Sequence, residues 1–267
     1  EVNKAAATPG EVVLSVKGLT VPGRQGHKAV KNVTFDVRAG EIVCIAGIDG
    51  NGQSELVYAL SGLLTPEAGA IAFNGRDITD ADIRMRNDLG LAHIPEDRHR
   101  HGLVLDYDLS ENLALKTYHT EALQAHGFIR FDAVRSQAER LIDTYDIRSA
   151  QGADTTVRSM SGGNQQKTIV AREIDTNPEL LLAVQPTRGL DVGAMMYIHE
   201  QLVRVRDEGK AVLLVSLELD EVFQLADRIL VIFEGQIVAE LAGATATAQE
   251  LGLYMSGSRK GERHDKV

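Results

Sequence analysis

Residues 47–54 read Gly-Ile-Asp-Gly-Asn-Gly-Gln-Ser, the spacing of a loop that wraps backbone N–H groups around a phosphate. In the full G-x-x-x-x-G-K-[ST] pattern the amides cradle the phosphate oxygens, the lysine neutralises them, and the hydroxyl holds Mg²⁺. Gly47, Gly50, Gly52 and Ser54 keep their places, Asp49 and Asn51 lie between them, and Glu55 follows. Gln53 stands where the lysine belongs and brings an amide without a charge. The frame reads as nucleotide chemistry with its cation removed. Taken alone, the octapeptide leaves open an ordinary Gly-rich turn before a helix.

A second cluster at residues 160–167 reads Met-Ser-Gly-Gly-Asn-Gln-Gln-Lys. Ser161 and the amides of Gly162 and Gly163 would open a helix whose N-terminus turns partial positive charge toward an anion. The plain alternative is a Ser-Gly helix cap. Asp191 is suited to cap the helix after it. His93, His99 and His101 are irregularly spaced on a polar stretch and read as solvated rather than as a metal site. Glu218, Asp220 and Glu221 read as a solvated helix start favoured by the dipole. Met195 and Met196, beside Tyr197 and Ile198, read as the core face of a helix.

These residues need a frame that holds them. Glu41–Ala46 is a short apolar run suited to a buried parallel strand, and Ser54–Leu60 begins a helix, so the first loop sits between strand and helix. Upstream, Val12–Leu19 and Val33–Val37 alternate like strands of an antiparallel edge. A turn at Thr65–Gly69 leads into a strand Ala70–Phe73, and the strand Leu89–Ile94 ends at Pro95. From Glu96 to about Arg158 the pattern turns helical. Ser110-Glu-Asn-Leu caps one helix, and Val134, Ala138, Leu141, Ile142 and Tyr145 form a stripe on another. Alternation then resumes: a helix to Ile174, strand Leu180–Val184, helix Gly193–Arg206, strand Ala211–Val215, helix Glu218–Ala226, and strands Arg228–Phe233 and Gln236–Glu240. Strands alternating with helices predict a parallel sheet covered on both faces, with ligands at the carboxyl ends of its strands.

The 267 residues, 43% of them hydrophobic, suffice for one large α/β domain or two small ones. A net charge of −10 argues against a nucleic-acid or anionic-membrane surface. Cys44, the single cysteine, falls inside an apolar strand and reads as a core residue in a reducing compartment. No apolar run approaches the roughly 20 residues that span a bilayer, so the chain is expected to be soluble. The start without methionine is expected of a piece of a longer polypeptide.

Over roughly residues 11–240 the chain resembles the nucleotide-binding domain of ABC transporters. The octapeptide at 160–167 is similar to that family's signature loop in the form found in sugar and nucleoside importers. Pro186–Gly193 resembles its D-loop, and Pro95–Arg98 its Q-loop, with Glu96 where glutamine is usual. Val215–Glu221 resembles its switch region and Asp227–Gly235 its closing hairpin. The resemblance implies an α/β P-loop NTPase fold: a RecA-like core with a parallel sheet, an antiparallel β edge subdomain and a helical insertion. The core is expected at 11–95 and 161–245 and the helical subdomain at 96–160. Residues 1–10 are expected to be a disordered start or linker, and 246–267 a helix remnant and polar tail.

The resemblance also implies that Ser161, Gly162, Gly163, Asn164 and Gln165 serve ATP held by a partner domain in a head-to-tail dimer, with Asp191 in the D-loop. Around the retained glycines and Ser54, the chemical positions of the domain's own ATP site depart from the family. The Asp-Glu pair is Val184-Gln185, Leu217 replaces the switch histidine, and no Phe, Tyr or Trp precedes Asn32 to stack on adenine. Stacking of that kind contributes about 1–3 kcal/mol, and a lost general base costs about 10²–10⁴ in rate. Gln185 alone could be a glutamate-to-glutamine trap, but that leaves Gln53, Val184 and Leu217 unexplained. Ser54 and Glu96 are the remaining candidates to face Mg²⁺.

The expected function is the energy-coupling domain of a nucleoside or sugar importer. Its own ATP site is degenerate and its intact signature completes the site of an N-terminal nucleotide-binding domain on the same polypeptide. ATP with Mg²⁺ is the implied cofactor, bound weakly or not at all at the chain's own loop. Permease subunits, a substrate-binding lipoprotein acting through them, and the cytoplasmic face of the cell membrane complete the expectation, without nucleic acid. The isolated domain is expected to hydrolyse ATP poorly or not at all. The alternatives are a structural or nucleotide-sensing ABC domain that braces the dimer, and a soluble ABC protein acting on ribosomes or DNA.

Overall fold

The computed structural model describes residues 3–23 and 27–258. Its chain begins with β1 (Val12–Pro22), β2 (Lys28–Arg38) and β3 (Ile42–Ala46), followed by helix α1 (Gln53–Ser61). Then come β4 (Ala68–Phe73), β5 (Arg76–Asp77), α2 (Ile83–Asp88) and β6 (Leu91–Ile94). A wide helical turn at Arg98–Gly102 opens the next region, which holds α3 (Leu109–Ala114), the short β7 (Gln124–Ala125) and β8 (Phe128–Ile129), and α4 (Phe131–Thr144). The second half runs α5 (Gly162–Asp175), β9 (Leu180–Val184), α6 (Val192–Asp207), β10 (Ala211–Ser216), α7 (Leu219–Leu225), β11 (Arg228–Phe233), β12 (Gln236–Ala242) and α8 (Ala248–Met255).

The central sheet has the order β12-β11-β3-β10-β9-β6 and is parallel except for β12. β3, β9 and β10 are buried along their whole length, as continuous Val, Ile, Leu and Ala runs require when both faces are covered. Successive side chains point to opposite faces. Ile42, Cys44 and Ala46 therefore enter the core shared with α5, α6 and the helical region, while Val43 and Ile45 enter the core under α1 and the antiparallel sheet. That second sheet, β2-β1-β4-β5, is the antiparallel edge. Cys44 is fully enclosed, and burial pushes its thiol well above the ordinary range. Among the described residues no helix is long and apolar enough to cross a membrane.

Several boundaries differ from the sequence reading. β1 continues past Leu19 to Pro22, and β2 spans Lys28–Arg38 rather than Val33–Val37, because the two pair along most of their length. The strand expected from Leu89 starts at Leu91, since Gly90, at φ 100°, turns the chain out of α2. The cap of α3 is Asp108, not Ser110: its carboxylate accepts from Glu111 N while Glu111 accepts from Asp108 N, a complete capping box. The β7–β8 hairpin was not anticipated. The α4 stripe stands, with Val134, Ala138, Leu141 and Tyr145 buried. In the expected loose start, Lys4 is anchored, donating to the carbonyls of Leu225 (2.7 Å) and Ala226 (3.0 Å) and to Asp227 (2.8 Å). Residues 1–2 of that start and 259–267 of the tail lie outside the described residues.

Candidate functional site

The loop from Gly47 to Ser54 joins the carboxyl end of β3 to α1 and presses against the end of β11. A Cβ on Gly47 would lie 2.6 Å from the Ile232 carbonyl oxygen, so only glycine lets the chain pass there. Gly52, at φ 98°, makes the left-handed turn that starts α1. The polar side chains of the loop satisfy the loop itself. Gln53 is 6% exposed, and its Nε2 donates to the Ile48 carbonyl at 2.9 Å. Asn51 Nδ2 donates to the same oxygen at 2.8 Å, while its Oδ1 accepts from Glu234 N at 2.6 Å. Gly235 N reaches the Asn51 carbonyl at 3.1 Å, tying the loop to the β11–β12 hairpin. Asp49 and Gly50 remain exposed at the tip, and Glu55 lies in the first turn of α1, favourable to its dipole.

Glu96 gathers three segments into one contact. Its Oε2 accepts from Ser54 Oγ at 3.3 Å, and its Oε1 accepts from Gln185 Nε2 at 2.7 Å and from Arg188 Nη1 at 2.8 Å. Gln185 is held by Val215 (N to O 2.7 Å) in a left-handed conformation, φ 43°. Val184 is 3% exposed and packs in the core beneath α1, so that position presents hydrocarbon where the family places a carboxylate. Leu217 is partly exposed just after β10. The described residues hold no cluster of three His, Cys, Asp or Glu suited to a metal ion. Ser54 and Glu96 offer one hydroxyl and one carboxylate, bonded to each other, and Arg188 already balances the carboxylate. By themselves they do not fit a resident Mg²⁺.

The signature residues form a different surface. Ser161 caps α5, its Oγ accepting from Asn164 N at 3.4 Å and from Asn164 Nδ2 at 2.9 Å. Asn164 Oδ1 in turn accepts from Arg148 N at 2.9 Å. Ser161 and Gly162 are exposed, and Gly163 is partly so. A Cβ on Gly163 would come within 3.2 Å of the Ala194 Cβ, so glycine there lets α5 approach α6. Asp191 caps α6 as expected, its Oδ1 accepting from Ala194 N at 2.9 Å. Gln165 does not join the exposed group. It is turned inward, Nε2 donating to Val157 O at 3.0 Å and Oε1 lying 2.9 Å from His99 Nε2.

Two sequence readings are corrected here. His93 is not a solvated surface histidine: it is only partly exposed on β6, its Nε2 is buried, and burial pushes it down to about 4. The backbone N of His93 donates to buried Glu173. Glu221 is not part of a solvated helix start either. It is 4% exposed and bonded to Thr187 Oγ1 (2.7 Å) and His199 Nε2 (2.9 Å). Sequence reasoning also missed Arg98 and Arg188. Both lie inside quoted motifs, but nothing in their spacing shows that they meet.

A family model described as ABC transporter matches residues 30–188, and the chain belongs to that family. It is 50% identical over 259 residues to the nucleoside import ATP-binding protein NupA of Lactococcus lactis, covering 97% of this chain and 51% of that protein. It is 49% identical over 259 residues to the guanosine import ATP-binding protein NupO of Bacillus subtilis, covering 97% and 51%. The chain thus spans about half the length of the curated relatives it matches. In fold it is similar to a dimeric bacterial ABC transporter cassette, with a TM-score of 0.75 at 23% identity over 87% of this chain and 100% of that one.

Proposed function

We propose that the chain is the second ATP-binding half of a tandem importer ATPase for nucleosides or simple sugars, and that it completes its partner's ATP site without turning over ATP at its own loop. The observation that carries this is an asymmetry between two surfaces. At the own loop, Gln53 and Glu96 are satisfied by the protein itself, while Ser161, Gly162 and Gly163 stand open at the start of α5. The relatives' names favour nucleosides, and their double length favours a first half on the same polypeptide.

In this reading ATP with Mg²⁺ on the first half supplies the reactive phosphate. Ser161 Oγ and the amides of Gly162 and Gly163 would hold its charge, aided by the α5 dipole. The chain's own loop has no cation at position 53, no acceptor for a water proton at 185, and no polar group at 184 or 217. Permease subunits, with a binding lipoprotein beyond them, would take up the motion at the cytoplasmic face of the membrane.

The test is phosphate release by the chain alone, by a competent first half alone, and by the two together in the transporter. Little release alone and recovery on pairing are expected, with Ser161→Ala lowering the paired rate by about 10²–10³, the cost of one donor to a developing charge. Steady turnover by the isolated chain would overturn the reading. A fully active Ser161→Ala complex would favour the alternative that the domain only braces the dimer, which the self-satisfied loop also permits. Calorimetry with ATP and Mg²⁺ separates a filled loop from an empty one.

A further inference from the structure

We propose that Asn51, with Gln53, is a latch that holds the chain's own phosphate loop in one shape without a nucleotide, so that the tip of the loop serves the first half as a fixed face. The fixed face rests on the reading above; the latch does not.

A glycine-rich loop whose N–H groups converge sets like partial charges against each other, and an anion in its mouth ordinarily offsets them. Here the protein supplies other restraints. Asn51 Nδ2 and Gln53 Nε2 both donate to the Ile48 carbonyl, at 2.8 and 2.9 Å, and draw the two limbs of the loop together. Gln53 folds back so closely that a Cβ on Gly47 would lie 2.9 Å from its Nε2. Asn51 also reaches outward. Its Oδ1 accepts from Glu234 N at 2.6 Å and its backbone oxygen from Gly235 N at 3.1 Å, so one residue holds both amides of the β11–β12 turn.

The turn is shaped for that grip. Glu234 and Gly235 are both left-handed, at φ 47° and 78°, and the Gly235 carbonyl accepts from Lys31 N at 2.8 Å. A Cβ on Gly52 and one on Gly235 would each lie 2.3 Å from the same oxygen, that of Ala29. Loop and turn thus both press on the start of β2, at positions where only glycine fits. The tip stays outside the latch: Ile48, 53% exposed, with Asp49 and Gly50 exposed beside it. That is the part a partner would meet.

The test is amide hydrogen exchange of the full chain, resolved by NMR at Gly235 and Leu56. Their acceptors are the backbone oxygens of Asn51 and Gly52, which a side-chain substitution leaves in place. Asn51→Ala removes both side-chain bonds and should speed exchange at both amides at least about fivefold, the ratio that one net hydrogen bond sets in a local opening. Asn51→Asp keeps the acceptor for Glu234 N and should leave Gly235 within about twofold of the parent. Gln53→Glu has no N–H for the Ile48 oxygen and should speed Leu56 about fivefold or more. ATP with Mg²⁺ in excess should leave both amides of the parent unchanged. Unchanged exchange in Asn51→Ala or Gln53→Glu, Asn51→Asp as fast as Asn51→Ala, or slowing of the parent amides by the nucleotide would overturn the latch.

In the assembled transporter, Asn51→Ala should lower kcat at least about threefold with KM for ATP unchanged, because the loop that binds the hydrolysed nucleotide belongs to the partner. An unchanged kcat would overturn the fixed face. If the amides respond as expected but Ser161→Ala leaves the transporter's turnover intact, the latch stands and the functional reading fails. If the nucleotide slows the parent amides while the isolated chain releases no phosphate, the latch fails and the functional reading stands.

Discussion

Glu173→Ala should be among the most damaging single changes in this chain. Glu173 lies on α5 and is fully enclosed, yet carries a carboxylate. It accepts from the Arg172 Nε at 3.1 Å, from the backbone N of His93 at 3.0 Å, and from Lys116 at the end of α3. Truncation would leave the guanidinium of Arg172, itself 6% exposed, without its anion and the His93 N–H without an acceptor. Removing one partner of a buried charged set costs about 3–5 kcal/mol. At roughly 2–4 °C per kcal/mol for a domain of this size, the melting temperature should fall by about 6–20 °C. Glu173→Gln keeps an acceptor for His93 N and should lose less, about 1–3 kcal/mol. Burial raises the Glu173 carboxyl, but the charges of Lys116 and Arg172 outweigh it and hold the group below its ordinary 4.5. A carboxylate depressed in the folded state contributes stability above the unfolded value and loses it as pH falls through the folded one. The gap between parent and Glu173→Ala should therefore be widest near neutrality and narrow as pH falls below the ordinary 4.5. Circular-dichroism melts and urea titrations at pH 7, 5 and 3.5 read both effects. A loss under about 1 kcal/mol, or a gap that ignores pH, would refute the network's role.

Two further outcomes follow from buried groups nearby. His93 is held neutral down to about pH 4, chiefly by burial, whereas the unfolded chain protonates it near 6.5. Stability should thus fall as pH drops through that interval, by about 3 kcal/mol at most, and His93→Gln should flatten this limb in a pH series of urea midpoints. Arg86 is 2% exposed and donates to four carbonyls, Ala81 (2.9 Å), Ala59 (3.0 Å), Leu60 (2.7 Å) and Thr79 (3.0 Å). Arg86→Ala would remove the guanidinium donors to Ala59 and Leu60 at the carboxyl end of α1 and should cost about 3 kcal/mol or more, measured by urea unfolding.

The core strands were the most legible part of the sequence. Leu180–Val184 and Arg228–Phe233 were read to the residue, because an unbroken apolar run between turn residues has few other fates. Edges were less so. Asp108 caps α3 two residues before the Ser110 reading, and Glu111, three residues on, completes the capping box that Leu113 could not complete from Ser110. The β7–β8 hairpin turns on His126 and Gly127, both at positive φ, and Gly127 was its one visible signal. The phosphate-loop frame, the signature and the Asp191 cap were legible because each is local. The Glu96 contact was legible only through the resemblance, which set Ser54 and Glu96 before one ion, and Arg188 was not foreseen. Its partners sit at positions 54, 185 and 188, and no periodicity brings such distant residues together. Glu221 failed for the same reason, since its burial comes from His199 and Thr187 on other segments.

The bond between Gln185 and Glu96 also bears on how reversible the present site is. An amide nitrogen at 185 gives Oε1 of Glu96 a donor at 2.7 Å. Replacing that amide with a glutamate would set two carboxylates at about the same distance beside the single guanidinium of Arg188, an arrangement that raises their hold on a shared proton. A glutamate at 185 would thus be a weaker acceptor for a further proton than a lone carboxylate. Positions 96 and 185 are thus coupled in their charge: a glutamate at 185 calls for an uncharged donor at 96.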